Sequence, residues 1–143
     1  LVLFFTSISR DSEKIIKDQV KNVRNNSEDA IEAFHKIKKS SMYMKESLLK
    51  GNFQEFGDHL RLGWKEKVKT ADSVSNKIIN KIYLESINAG AVSGKLSGAG
   101  GGGFMMLYVP TEKRMDVIRC LQQFEGKISQ CQFSDTGVQS WTL

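Results

Sequence analysis

Five of the six residues from 98 to 103 are glycine, in the order Gly98-Ala99-Gly100-Gly101-Gly102-Gly103. Ordering glycine costs more conformational entropy than ordering any other residue. A fold concentrates it where the backbone must take positive φ, or where a side chain would block a close approach. Both flanks of this run are apolar. Residues 91–97 read as a short strand, and residues 104–109, Phe-Met-Met-Leu-Tyr-Val, as a second one stopped by Pro110. A plain hairpin turn needs only one or two such residues. Successive N–H groups unshielded by side chains instead form a nest for an anion such as phosphate. The chain is therefore expected to contain a strand, a glycine loop with phosphate-binding character, and a second strand.

Three better-known glycine patterns fail on context. Gly98, Gly100 and Gly103 satisfy G-x-G-x-x-G, but a dinucleotide fold needs a helix to begin at this loop, and residues 104–109 are a strand. A protein kinase places that pattern between strands, yet no V-A-I-K, H-R-D or D-F-G follows. A P-loop requires Gly-Lys-Ser/Thr, and Gly94-Lys95-Leu96 misses it in spacing and in its third residue.

The rest of the chain supplies helices and a few strands. Residues 1–5, Leu-Val-Leu-Phe-Phe, form a buried strand without the basic start or cleavage site of a signal peptide, as if the chain begins inside a larger protein. A polar turn at residues 6–10 leads to Asp11, which suits a helix N-cap, with Glu13 behind it and Ile16, Val20 and Val23 as the apolar stripe. Asn25-Asn26 breaks this helix and Ser27 caps a second. There Ala30, Phe34, Ile37, Ser41, Met44 and Leu48 mark one buried face, and Gly51 ends it. Asn52 and Glu55 make a capping pair for a third helix carrying Phe53, Phe56, Leu60 and Trp64. A fourth runs over residues 72–88 with Val74, Ile78 and Ile82 inward, closed by Ala89-Gly90. Thr111 caps a last helix with Met115, Ile118 and Leu121, and residues 128–133 and 138–143 read as closing strands. This order predicts an α+β fold: a mainly antiparallel sheet with helices on one face.

Length and composition exclude several classes. At 143 residues and 40% hydrophobic content the chain suits one compact domain rather than two, or disorder. Its net charge of +5 and pI near 9.2 come from lysines interleaved with glutamates in helical patterns, which reads as a solvated basic surface. No RNP-type aromatic pair or basic-aromatic stripe supports nucleic-acid binding, and no stretch is long enough to span a membrane. Cys120 and Cys131 lack a CxxC pattern or a nearby histidine, so neither zinc nor a disulfide framework is expected, and two free thiols suit the cytoplasm. His35 and His59 lie inside helical patterns. The lysines at 65, 67 and 69 read as a solvated face, and Trp64 as a core or inter-domain residue.

The run Gly94-Lys95-Leu96-Ser97-Gly98-Ala99-Gly100-Gly101-Gly102-Gly103-Phe104 resembles the third conserved motif of the GHMP kinases, a strand–glycine loop–strand in their C-terminal domain. The likeness covers nearly the whole chain. Residues 1–10 with Ser12, and Trp64 with Lys67 followed by Gly90-Ala91 and Gly94-Lys95, look like the D-glycero-D-manno-heptose phosphate kinase branch. One departure is Ser7, which stands where the resemblance places a glycine. The resemblance implies a ferredoxin-like C-terminal domain over residues 1–143, with the N-terminal ATP-binding domain absent from this chain. It implies transfer of the γ-phosphate of ATP, with Mg2+, to a hydroxyl of a small metabolite, here a sugar phosphate. Gly98, Ala99, Gly100, Gly101, Gly102 and Gly103 are then the cofactor side of the site. Arg10, after a strand end, and Lys95, before the loop, are candidates to hold the substrate. No catalytic base and no metal ligand is identified in this half, so the chain alone is expected to be inactive. The alternative is a non-catalytic ferredoxin-like module that holds a phosphorylated ligand with the same loop.

Overall fold

The first strand, β1 (Val2–Phe5), alternates as a half-covered strand should: Val2 and Phe4 are buried, Leu3 is half-buried and Phe5 is exposed. The computed structural model, which describes residues 1–9 and 11–141, places β1 in the middle of a four-stranded sheet. Its other strands are β2 (Ser93–Leu96), β3 (Phe104–Tyr108) and β4 (Lys127–Ser129), in the order β2-β3-β1-β4 with every pair antiparallel. With four helices between β1 and β2 and one between β3 and β4, this is the split β-α-β arrangement of ferredoxin-like folds. The α+β class and the antiparallel sheet agree with the reading of the sequence.

Directly opposed residues share a face, so register assigns the sheet's two sides. Val2 faces Leu107, Phe4 faces Met105 and Ile128, and Leu96 faces Met105. These join Ile15, Trp64, Ile79, Ile82, Val117 and Leu121 from the helices in one core. Burying each such side chain contributes about 1.5–3 kcal/mol. Leu3, Met106 and Lys95 align on the other face, as do Phe5 and Phe104, whose rings lie 5.2 Å apart and stay partly exposed.

The helices keep their expected order with shifted detail. In α1 (Ser12–Arg24), Asp11 is the N-cap and accepts from the Lys14 N–H at 3.0 Å. The core takes Ile15, while the expected stripe of Ile16, Val20 and Val23 is exposed. In α2 (Glu28–Leu49) the buried residues are Ala30, Ala33, Ser40 and Ser47, whereas Phe34, Ser41 and Leu48 face outward. Small residues on the buried face let α2 lie close to α3 (Phe53–Lys69). The Ser40 hydroxyl donates to the His59 carbonyl at 2.7 Å, and a Cβ on Gly63 would stand 3.8 Å from that hydroxyl. Gly51, with φ 69, links the two helices, and Asn52 caps α3 by accepting from the Glu55 N–H at 3.2 Å while its side-chain amide donates to the Glu55 carboxylate at 3.0 Å.

The helix expected over 72–88 is two pieces. Asp72–Val74 is a single 3-10 turn, Ser75 is extended, and α4 spans Lys77–Asn88. Asn76 causes the restart, because its side chain accepts from the N–H groups of Ile78 and Ile79, each at 3.0 Å. Ile79 rather than Ile78 then points inward. A 3-10 turn at Thr111–Lys113 likewise delays α5 to Arg114–Leu121, with Val117 and Leu121 buried and Met115 exposed. The closing strand expected over 128–133 is only Lys127–Ser129, and residues 138–141 form no strand; residues 142 and 143 lie outside the described residues. Both cysteines are free thiols. No helix among the described residues is long and apolar enough to cross a membrane.

Candidate functional site

The glycine loop joins β2 to β3 at one edge of the sheet, closed at its neck by the Ser97 N–H donating to the Phe104 carbonyl at 2.8 Å. Gly98, Gly100, Gly101 and Gly103 have φ of 77, 125, 73 and 87, a region that side-chain-bearing residues rarely enter. Close approach accounts for Gly102 and adds to the demand at Gly100. A Cβ on Gly102 would lie 2.5 Å from the Ile8 carbonyl oxygen, and one on Gly100 would lie 2.6 Å from the Val74 carbonyl oxygen.

Four elements hold the loop. The Gly101 N–H donates to the Val74 carbonyl at 2.8 Å. Thr6, buried beyond the end of β1, donates both its backbone N–H and its hydroxyl to the Gly103 carbonyl, at 2.9 and 3.0 Å. The Asn76 amide reaches the Gly101 carbonyl at 3.4 Å, and the Lys67 ammonium donates to the Gly98 carbonyl. The nest expected over all six residues is thereby divided. Gly101 spends its N–H on the protein, whereas among the described residues the N–H groups of Gly98, Ala99 and Gly100 meet no carbonyl. Those three lie together at the start of the loop, where an anion would meet them.

Of the two residues expected to hold substrate, Arg10 lies outside the described residues. Ser7, three positions earlier in the sequence, has φ 53, the left-handed conformation for which glycine is the inexpensive choice. Lys95 is half-buried in β2. It lines a cleft of about 240 Å³ between the sheet and the α2–α3 pair, together with Lys67, Trp64, Met44, Leu60 and Met106.

Three residues that hold the loop escaped the reading of the sequence. Lys67 belongs to the expected solvated face, and while Lys65 and Lys69 are exposed as that description has it, Lys67 is not. Lys67 is half-buried against Gly98, and Lys69 forks onto the buried Glu66 carboxylate at 2.8 and 3.0 Å. Lysines 67 and 69 are two apart and so fall on different sides of the helix, which is the one signal that separates them. Thr6 and Asn76 carry no signal beyond being turn and cap formers. His35 is exposed, and His59 stacks on Tyr43 with ring centroids 5.1 Å apart. Trp64 is a core residue, as one of its two readings had it. Among the described residues no three His, Cys, Asp or Glu side chains gather into a metal-holding group.

Residues 44–127, which include the loop and all of α3, α4, β2, β3 and α5, match the family described as GHMP kinases C terminal. The chain belongs to the GHMP kinases. Members of this family are phosphotransferases. This GHMP domain is 36% identical over 142 residues to D-glycero-alpha-D-manno-heptose 7-phosphate kinase of Campylobacter jejuni, covering 99% of this chain and 41% of that protein. It superposes on a crystal structure from Campylobacter jejuni described as that of a sugar kinase with a TM-score of 0.65 at 34% identity, covering 98% of this chain and 38% of that one. Mevalonate kinase of L. major, crystallised with R-mevalonate, shares the fold at a TM-score of 0.76 and 22% identity, over 85% of this chain and 37% of that one. The GHMP domain thus spans less than half the length of the proteins it matches.

Proposed function

We propose that this chain is the C-terminal domain of an ATP-dependent kinase that phosphorylates a hydroxyl of a sugar phosphate, with a D-glycero-D-manno-heptose phosphate as the acceptor. One observation carries the reading. The loop is anchored by four separate elements, yet leaves the N–H groups of Gly98, Ala99 and Gly100 directed to no carbonyl among the described residues. Phosphoryl transfer depends on positioning and on fixed donors aimed at developing charge, and a loop held this way loses little entropy on meeting it. The identity to a heptose 7-phosphate kinase over 142 residues supports the acceptor.

In this reading the cofactor is ATP with Mg2+: ATP would supply the γ-phosphoryl group, and Mg2+ would offset the charge of the phosphates. Gly98, Ala99 and Gly100 donate to phosphate oxygens, and Gly101, Gly102 and Gly103 fix the loop against Val74, Ile8 and Thr6. Lys95 contacts the acceptor from the cleft, and the substrate role expected of Arg10 belongs to the same reading. The partner of this domain is an N-terminal domain that binds most of the nucleotide and supplies the base, and the enzyme works in the cytoplasm.

The test is ATP consumption by the full-length gene product against sugar phosphates, galactose, fucose, homoserine and mevalonate. A Gly101→Val variant, checked by circular dichroism, serves as control. Turnover with a heptose phosphate that the folded variant loses is the expected result. Turnover with another metabolite replaces the acceptor and keeps the kinase. No consumption by a folded protein transfers the loop to a non-catalytic module that holds a phosphorylated ligand.

A further inference from the structure

The cleft beside the loop takes the kinase reading one step further and rests on it. Lys95 occupies an interior register position of β2, opposite Met106, and is half-buried. A lysine there gives up part of the hydration of its ammonium group, a cost normally offset by a partner. Among the described residues the Lys95 ammonium has no hydrogen bond and no ion pair. Its side chain lines the cleft between the sheet and the α2–α3 pair, and Lys67 lines it too. Since Lys67 also donates to the Gly98 carbonyl, the cleft adjoins the first residue of the loop.

The described lining holds two ammonium groups and no carboxylate, and most of the remainder is apolar, with Trp64, Met44 and Met106 among it. A volume of about 240 Å³ suits a small metabolite and lies below the range usual for drug-sized ligands. The positive charge of Lys95 in a partly desolvated cleft selects an anion, and lysine serves phosphate as a point charge. We infer that this cleft is the subsite for the phosphate group the acceptor already carries. Lys95 holds that phosphate, and Lys67 ties the subsite to the loop. The cleft therefore selects a phosphorylated sugar over the neutral one.

The same chemistry would also suit a phosphate of the nucleotide, and one experiment separates the two. In the full-length protein, Lys95→Met keeps the apolar stem and removes the charge, while Lys95→Arg restores charge. For Lys95→Met, the preference for phosphorylated over unphosphorylated sugar, read as a ratio of kcat/KM, is expected to fall about 10- to 100-fold, the range of a hydrogen bond to a charged group. Lys95→Arg is expected to recover most of it. An unchanged ratio overturns the subsite. A rise in KM for ATP with the acceptor ratio intact overturns it as well, giving the ammonium to the nucleotide. If the wild-type protein turns over no sugar phosphate, the kinase reading fails, and calorimetric titration with inorganic phosphate still decides the cleft. Heat seen with wild type and lost in Lys95→Met supports the anion subsite, and equal heats overturn it.

Discussion

Replacing Gly100 by alanine tests whether the loop is held by close backbone approach or merely permits it. Two costs add. At φ 125 an L-residue lies outside its usual conformations, which costs about 1–3 kcal/mol. The new Cβ would also stand 2.6 Å from the Val74 carbonyl oxygen and 3.0 Å from the Val74 Cα, and backbone cannot rotate away as a side chain can. Relief requires moving the carbonyl that accepts the Gly101 N–H at 2.8 Å, at a further loss of about 1 kcal/mol. The sum is about 2–4 kcal/mol. Gly51→Ala is the control: its φ is also positive, at 69, but nothing lies within 4 Å of a Cβ there, so only about 1–2 kcal/mol of backbone strain applies. The entropy that alanine removes from the unfolded chain is common to both and cancels. Urea unfolding followed by circular dichroism, with the slope held constant, should show Gly100→Ala losing about 1–2 kcal/mol more than Gly51→Ala. Equal losses in the two variants would refute the argument from close approach.

The turn at Ser7 gives the opposite sign. With φ 53, Ser7→Gly relieves about 1–2 kcal/mol of left-handed strain against about 0.5–1 kcal/mol of added chain entropy, so the melting temperature should rise by a few degrees. The two thiols should separate in their reaction with Ellman's reagent at pH 8. Burial, and after it the charge of Glu85, pushes the Cys120 thiol above its ordinary pKa, so less of it is thiolate at that pH. The exposed Cys131 should react first, Cys131→Ser should abolish the fast phase, and the lag of Cys120 should shorten as pH rises.

What the sequence disclosed follows from how each feature is encoded. A glycine run between two apolar segments announces itself, and the caps at Asp11 and Asn52 are local chemistry, so all three appear where expected. The buried face of α2 is built of Ala30, Ala33, Ser40 and Ser47. A search for large apolar residues at helical spacing selects Phe34 and Leu48 instead, because close helix approach asks for small side chains. The helical period also runs unbroken from Val74 to Ile82, which hides the restart at Asn76. The site divides in the same way. The loop is continuous in sequence, while its supports at Thr6, Lys67 and Val74 come from distant segments that only the folded chain brings together.

The position of β1 has a consequence for synthesis. It is the first of this sheet's four strands to be made, yet its neighbours are β3 and β4, and Thr6 waits for a partner 97 residues away. At about 5–20 residues per second the ribosome needs roughly 5–20 s to deliver that partner. During that interval an extended apolar segment, Leu-Val-Leu-Phe-Phe, has both edges unpaired. This domain is exposed to aggregation through residues 1–5 until β3 and β4 emerge, and a chaperone that shields them would protect the one strand that must enter the sheet between two late arrivals.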